Sequence, residues 1–299
     1  MYPVAAEVIR NMVLQLKGIR KSYNKGESYA LDGFTKEFTP GIYGLLGPNG
    51  AGKSTLMNII TGNLHADEGD VMLDGAPTGK MGAEYRKLLG YMPQQQELYD
   101  TFTGEEFLWY IASLKGLKKK EAAGQIEQMV QAVNLGHAKN KKLKSYSGGM
   151  KQRILIAQAL LGNPGILIMD EPTAGLDPRE RIRIRNFISD FAEQKIVLLS
   201  THVVPDVEYV SKEIIIMHSG VIQKQGTTQD LLRQMEGKVF EGNMSEEGQK
   251  ALTENGAKVA NVAFTGEGRI VRIVTDALPG GTGLAAANPC LEDVYLYFT

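Results

Sequence analysis

The sequence predicts an α/β fold: a large mixed-sheet domain followed by a smaller α/β appendage. Three observations lead there. Strand-like and helix-like stretches alternate from Val13 to about Met235, the arrangement of a sheet covered by helices. An apolar run enters a glycine-rich loop at Gly47 and leaves it as a helix. From Glu236 on, the chain is glycine-rich, and acidic residues outnumber basic ones by nine to five. The expected boundaries are an N-terminal extension over 1–11, the main domain over 12–235 and an accessory domain over 236–299. A partly ordered tail is the alternative for that last segment.

The elements follow in order. Val13 to Arg20 and Tyr29 to Phe38 read as antiparallel strands joined by a turn at Asn24–Lys25–Gly26. Gly41 to Leu46 is a short apolar strand. Leu56, Ile59 and Ile60 then recur at helical spacing, with Gly62 as a stop. Asp70 to Leu73 is a strand closed by Asp74–Gly75. Residues from about 95 to 150 read as a helical subdomain inserted into the core. In it, Thr103 and Glu106 form a capping box, and Phe107, Ile111 and Leu114 then line one face of a helix. Lysine clusters at 115–120 and 139–144 read as solvated helix faces, with lipid headgroups as the alternative. Ile166 to Met169 is a buried strand. Arg181 to Arg185 alternates like a strand, but Asp177 as cap, Pro178 at the first position, and Ile184, Phe187, Ile188 and Phe191 at helical spacing favour a helix. Ile196 to Ser200, Glu213 to His218 and Val221 to Gln225 are further strands, the last two joined at Ser219–Gly220. In the appendage, Arg269 to Thr275 alternates like a strand, and Leu291 to Phe298 reads as a terminal helix.

Composition narrows the function. The 299 residues are 43% hydrophobic and 22% charged, enough apolar material for a sizeable core. A formal net charge of −1 supplies no global field for nucleic acid, and no nucleic-acid partner is expected. A lone cysteine, Cys290, excludes an internal disulfide framework and a cysteine-rich metal site, and fits a reducing cytoplasm. No segment approaches the ~18 apolar residues of a membrane helix. The first eleven residues do not read as a signal peptide, and Met12 is a second plausible start.

The strongest local pattern is Gly47, Pro48, Asn49, Gly50, Ala51, Gly52, Lys53, Ser54, Thr55, a phosphate-binding loop between a strand and a helix. Its glycines let successive backbone N–H groups point at one spot, and the following helix adds its positive end. Lys53 is expected on the β- and γ-phosphates of ATP, and the Ser54 hydroxyl on Mg²⁺. A second pattern, Ile166-Leu-Ile-Met followed by Asp170 and Glu171, delivers two carboxylates to the end of a buried strand. Alone it would be a strand running into a polar turn. Beside the loop it places acids where open α/β sheets bind ligands. Asp170 is then a Mg²⁺ ligand, and Glu171 polarises the water that attacks the γ-phosphate.

With these residues in hand, the chain resembles the nucleotide-binding subunits of ABC transporters. The separating element is Ser147-Gly-Gly-Met-Lys-Gln-Arg153, similar to the family signature. The resemblance implies that Ser147, Gly148 and Gly149 grip the γ-phosphate of ATP held by an opposing subunit. Gln94 resembles the Q-loop glutamine, a ligand of Mg²⁺ and water. Asp177 resembles the D-loop residue at the dimer interface, His202 the switch histidine, and Tyr23 the aromatic that stacks on adenine. The usual Leu-Ser-Gly-Gly-Gln appears here as Tyr146-Ser-Gly-Gly-Met150. The ending from Pro289 to Thr299 resembles that of bacterial ATPase subunits of multidrug and antibiotic exporters.

The resemblance implies the P-loop, ABC-type version of the fold: a mixed-sheet core, an antiparallel β subdomain and an inserted helical subdomain. It implies a Mg²⁺-dependent ATPase that drives a separate integral membrane permease of an exporter, through an ATP-sandwich dimer with itself or a homologous subunit. The place would be cytoplasmic, peripheral on the inner face of the cell membrane. Tyr99, Phe102 and Phe107 would line the groove that receives a permease helix, ordinary core being the other reading of them. The rival function is a non-transport ABC-type ATPase acting on a cellular machine.

Overall fold

The computed structural model describes residues 12–24, 28–94, 98–266, 268–278 and 280–299. The N-terminal extension over 1–11, the turn residues Lys25 and Gly26, and the expected start of the helical subdomain at 95 lie outside the described residues. In chain order the strands are β1 (Leu14–Ser22), β2 (Tyr29–Phe38), β3 (Gly41–Leu46), β4 (Glu68–Leu73), β5 (Ala76–Pro77), β6 (Leu89–Met92), β7 (Ile166–Asp170), β8 (Ile196–Thr201), β9 (Glu213–His218), β10 (Val221–Gly226), β11 (Val239–Asn243), β12 (Lys258–Thr265), β13 (Gly268–Val274) and β14 (Ala285–Ala286). The helices are α1 (Lys53–Ile60), α2 (Thr78–Met81), α3 (Ala83–Leu88), α4 (Gly104–Leu114), α5 (Lys119–Ala132), α6 (Gly148–Leu160), α7 (Pro178–Phe191), α8 (Pro205–Glu208), α9 (Thr228–Arg233), α10 (Glu246–Glu254) and α11 (Leu291–Phe298).

The central sheet runs β10-β9-β3-β8-β7-β6, with parallel pairs from β9 to β6 and an antiparallel edge at β10. Its inner strands are buried on both faces, so their sequences are nearly continuous apolar runs. Side chains still alternate across the sheet. Leu46, Leu167, Met169, Val197 and Leu199 join the core on the side of the helical subdomain. Leu45, Ile166, Ile168, Ile196 and Leu198 join the opposite core, built from β1, β2 and α1. Met12 is buried in that second core, packed where a side chain on Gly165 would otherwise sit.

The antiparallel sheet β2-β1-β4-β5 sits on that second side. On the other side, α4, α5 and α6 form the inserted helical layer. The Thr103–Glu106 capping box forms as expected, but the buried face of α4 differs. Phe107, Leu108 and Ala112 are interior, Ile111 is half-buried, and Leu114 is 67% exposed at the last turn. The lysine clusters also divide. Lys118, Lys119, Lys120, Lys141, Lys142 and Lys144 are solvated, and Lys139 pairs with Glu127 at 2.8 Å. Lys115 instead turns inward and donates to the carbonyls of Leu161 at 2.5 Å and Ala159 at 3.4 Å. It thereby satisfies the C-terminal end of α6, where the helix dipole favours a cation.

The third sheet, β12-β13-β11-β14, has a small core of Leu252, Ala257, Val271 and Ile273. The expected strand and terminal helix are β13 and α11. Leu291 and Val294 of α11 are fully buried in the main core, not in the small one. Arg272 of β13 holds α11 by an ion pair to Asp293 at 2.6 Å and pairs on its other side with Glu241 of β11 at 2.9 Å. Burial alone would raise the Asp293 carboxyl, but hydrogen bonds from Arg272 and Cys290 outweigh it and hold it below its ordinary value.

Lys115 gives this layer a pH signature. Burial pushes its ammonium down to about 8, whereas the unfolded chain keeps the proton to about 10.4. Between those values the unfolded state binds more protons, so stability rises with pH. Urea unfolding of the wild type should show that rise above about pH 8, and Lys115→Met should flatten it.

Candidate nucleotide site

Neighbouring strands end in one row. In register, Leu46 pairs with Thr201, Ser200 with Asp170, and Met169 with Met92. The glycine-rich loop leaves β3 there, the two carboxylates end β7, Thr201 leads into His202, and Met92 precedes Gln94. Parallel pairing alone therefore brings four distant segments to the carboxyl edge of the sheet, the ligand edge of open α/β folds.

The loop depends on two glycines that have no room for a side chain. A methyl group on Gly47 would run into the Met217 carbonyl, and one on Gly52 into the Ala30 carbonyl. Gly52 also has φ +100°, a left-handed conformation costly for other residues. Tightened in this way, the loop encloses Lys53, which is 7% exposed and donates to the carbonyls of Gly47 at 2.6 Å and Pro48 at 3.1 Å. Burial lowers the ammonium below its ordinary value, and the carboxylates of Glu171 and Asp170 act in the opposite direction.

Beside it, Ser54 Oγ donates to Asp170 Oδ2 at 2.6 Å, and Ser200 Oγ donates to Asp170 Oδ1. Lys53, Ser54 and Asp170 open onto a pocket of about 470 Å³, lined also by Tyr23, Asn49, Gly50, Ala51, Thr55, Gln94 and Glu171, with Ser200 buried behind Asp170. Tyr23 is 63% exposed, its hydroxyl 3.2 Å from Thr55 Oγ1, so an aromatic face stands free at the pocket mouth. A hydroxyl, a carboxylate and an amide lining one pocket are the hard oxygen donors that suit Mg²⁺, and Ser54, Asp170 and Gln94 fit that ion.

Glu171 is 5% exposed and adopts φ +54°, unusual for a residue with a side chain. Its N–H donates to Ser200 O at 3.0 Å, Oε2 accepts from Thr201 Oγ1 at 3.4 Å, and Oε1 lies 2.9 Å from His202 Nδ1. His202 thus reaches the site through Glu171.

Ser147, Gly148, Gly149 and Asp177 do not line the pocket. Ser147 is the exposed N-cap of α6, its Oγ accepting from Met150 N at 3.3 Å. Asp177 caps α7, accepting from Arg179 N and Glu180 N at 3.0 Å each. Tyr146, in place of the usual leucine, is buried, and its hydroxyl donates to Ala138 O at 2.9 Å. The hydroxyl lies where a side chain on Gly104 would go. Of the expected aromatic groove, Phe107 is core, while Tyr99, Phe102 and Tyr110 cluster with ring centres 5.2–5.8 Å apart. Sequence reasoning missed Ser200, though it stands two residues before His202 and faces Asp170. It also missed Ala30, whose role is purely backbone, and Gln152.

A phosphate loop, a buried lysine and a serine–aspartate pair at the sheet edge define a P-loop nucleoside-triphosphate-binding protein. The family model described as ABC transporter matches residues 35–174. Over 297 residues the chain is 33% identical to the uncharacterized ABC transporter ATP-binding protein YxlF of Bacillus subtilis, covering 95% of this chain and 98% of that one. It is 34% identical over 223 residues to the doxorubicin resistance ATP-binding protein DrrA of Mycobacterium tuberculosis, covering 74% and 67%. The dimeric post-hydrolysis structure of the ATP-binding cassette MJ0796 bound to ADP and Pi superposes with a TM-score of 0.66 at 27% identity, covering 72% and 98%. The chain belongs to the ABC transporter ATP-binding proteins and is an ATP-hydrolysing subunit of that type.

The two tight glycines are separable from Gly50, which has room for a side chain. Gly52→Ala combines left-handed backbone strain of about 1–3 kcal/mol with the collision at Ala30, whereas Gly50, with φ +82°, has open space around it. Thermal unfolding and ATP titration should show Gly52→Ala losing clearly more stability and affinity than Gly50→Ala.

Proposed function

We propose that two copies of this chain, or one copy and a homologue, close face to face on ATP and drive an integral membrane permease, in an exporter at the inner face of the cell membrane. The observation that carries this reading is the separation of two anion sites on one chain. The pocket holds Lys53, Asp170 and Glu171, while the exposed Ser147–Gly148 helix start lies outside it. That helix start presents free N–H groups and a positive dipole end with no phosphate of its own chain to meet. A second subunit supplies one, and the dimeric cassette MJ0796 supports that arrangement.

In this reading, the loop amides from Gly47 to Thr55 and the Lys53 ammonium bind the phosphates, and Tyr23 stacks on the adenine. Ser54, Asp170 and Gln94 would hold Mg²⁺, which when bound would neutralise phosphate charge. Glu171 takes a proton from the attacking water, and His202 orients Glu171 and meets the γ-phosphate. Across the interface, Ser147, Gly148 and Gly149 complete the partner's site, and Asp177 lines the seam. The Tyr99–Phe102–Tyr110 cluster, with Tyr99 and Tyr110 exposed and Phe102 half-buried beside a surface cavity that includes Trp109, is the docking face for a permease helix. Among the described residues no helix is long and apolar enough to cross a membrane; in this reading the permease carries the membrane path. Export is supported by the name of the doxorubicin resistance relative. Residues 236–299 form an accessory unit carried on the ATPase body.

Two substitutions test the reading. Glu171→Gln should lower turnover by about 10²–10⁴ while ATP binding persists and an ATP-dependent dimer appears on gel filtration; a normal rate removes Glu171 from the base role. Ser147→Arg should abolish hydrolysis by the homodimer yet leave ATP binding by the monomer intact. Loss of monomer binding would show that Ser147 acts in its own chain's site.

A further inference from the structure

Gln152 is not part of the pocket, yet it touches the residue on which the proposed chemistry turns. Its Nε2 donates to the backbone carbonyl of Glu171 at 2.8 Å. That carbonyl also accepts from Ala174 N at 3.2 Å. Glu171 stands at φ +54°, a conformation that a residue with a side chain keeps only when its surroundings over-determine it. The N–H of Glu171 is fixed by β8 through Ser200, and its carboxylate meets Thr201 and His202 of the same chain segment. On the carbonyl side, Gln152 is the side chain that reaches in from α6.

Helix α6 is the element that begins at Ser147. Gln152 lies five positions after that exposed cap, little more than one helical turn, so the two move as one rigid piece. Arg153 locks the same turn outward. Its guanidinium donates to Gly149 O at 3.3 Å, to Val133 O and Asn134 O at 3.2 Å, and to Glu180 at 3.3 Å. The helix start that would grip the partner's nucleotide is thus tied by a single amide to the backbone of this chain's own Glu171.

We propose that Gln152 is a positioning residue: it holds the left-handed backbone of Glu171, and so the aim of the carboxylate, and transmits the placement of the signature helix in one ATP site to the water-activating group of the other. The proposal rests on the reading of Glu171 as the general base. Removing the amide leaves nucleotide contacts untouched but lets Glu171 relax away from its productive conformation. A small misplacement of a catalytic group costs up to about 10²-fold in rate.

The experiment compares steady-state ATP hydrolysis by wild type, Gln152→Met, Glu171→Gln and the double variant, all full-length. Methionine keeps the length of the side chain and removes the donor. Gln152→Glu, which keeps the shape and replaces the donor with an acceptor, serves as a second probe should methionine perturb folding. Expected are a kcat lowered about 10–100-fold in Gln152→Met with the KM for ATP unchanged, and no further loss when the change is added to Glu171→Gln. The proposal is overturned by a wild-type kcat in Gln152→Met, by a raised KM in place of a lowered kcat, or by an equal loss in both backgrounds. A wild-type rate in Glu171→Gln alone overturns the base assignment instead, so the two failures are distinguishable.

Discussion

The main domain is organised around an ammonium held out of water with only backbone carbonyls in contact. Lys53 has no ion-pair partner within 4 Å among the described residues, and its nearest hydrogen-bond acceptors are Gly47 O and Pro48 O. Desolvating a cation without pairing it is costly, and here the cost is met by a loop that cannot relax. Gly47 is backed by Met217 and Gly52 by Ala30, so the loop is wedged between the central and antiparallel sheets. The Lys53 ammonium is therefore left without a paired anion at its tip, although the Asp170 and Glu171 carboxylates share the pocket. Asp170 is treated in the opposite way. Ser54 and Ser200 hydroxyls already occupy both of its oxygens, so an incoming cation competes with a formed hydrogen bond.

Much of this was legible in the residues because local chemistry and global fold agree. The phosphate loop, the apolar strand ending in Asp170 and Glu171, the Thr103 capping box and the Asp177–Pro178 helix start each carry their instruction within a few neighbouring residues. What escaped detection depends on contacts between distant segments. Leu114 fits the period of a buried helix face, but α4 ends there and among the described residues no neighbouring element covers it. Lys115 belongs to a lysine cluster by composition, yet the open C-terminus of α6, more than forty residues on, draws it inward. Nothing local in Gln152 marks it, because its partner is a backbone carbonyl whose unusual φ appears only in three dimensions.

The replacement at Tyr146 shows how a signature motif tolerates change on its interior side. The ring enters the core of the helical layer, and its hydroxyl finds the Ala138 carbonyl. A polar tip is thus accommodated in an apolar setting because a backbone acceptor lies within reach, while the Gly104 position stays empty for it. The residues that follow, Ser147 and Gly148, keep an exposed helix start. Interior identity and surface geometry are decided separately, even at adjacent residues.

Leu291 and Val294, within the last nine residues of the chain, complete the interior of the ATPase body. The tail is consequently a keystone rather than an ornament. Trimming it would open an apolar hole beneath the central sheet, and both parts of the protein should melt together rather than in sequence. Insertions that lengthen the connections within residues 236–290 are tolerable by the same logic, because they leave that final plug free to seat.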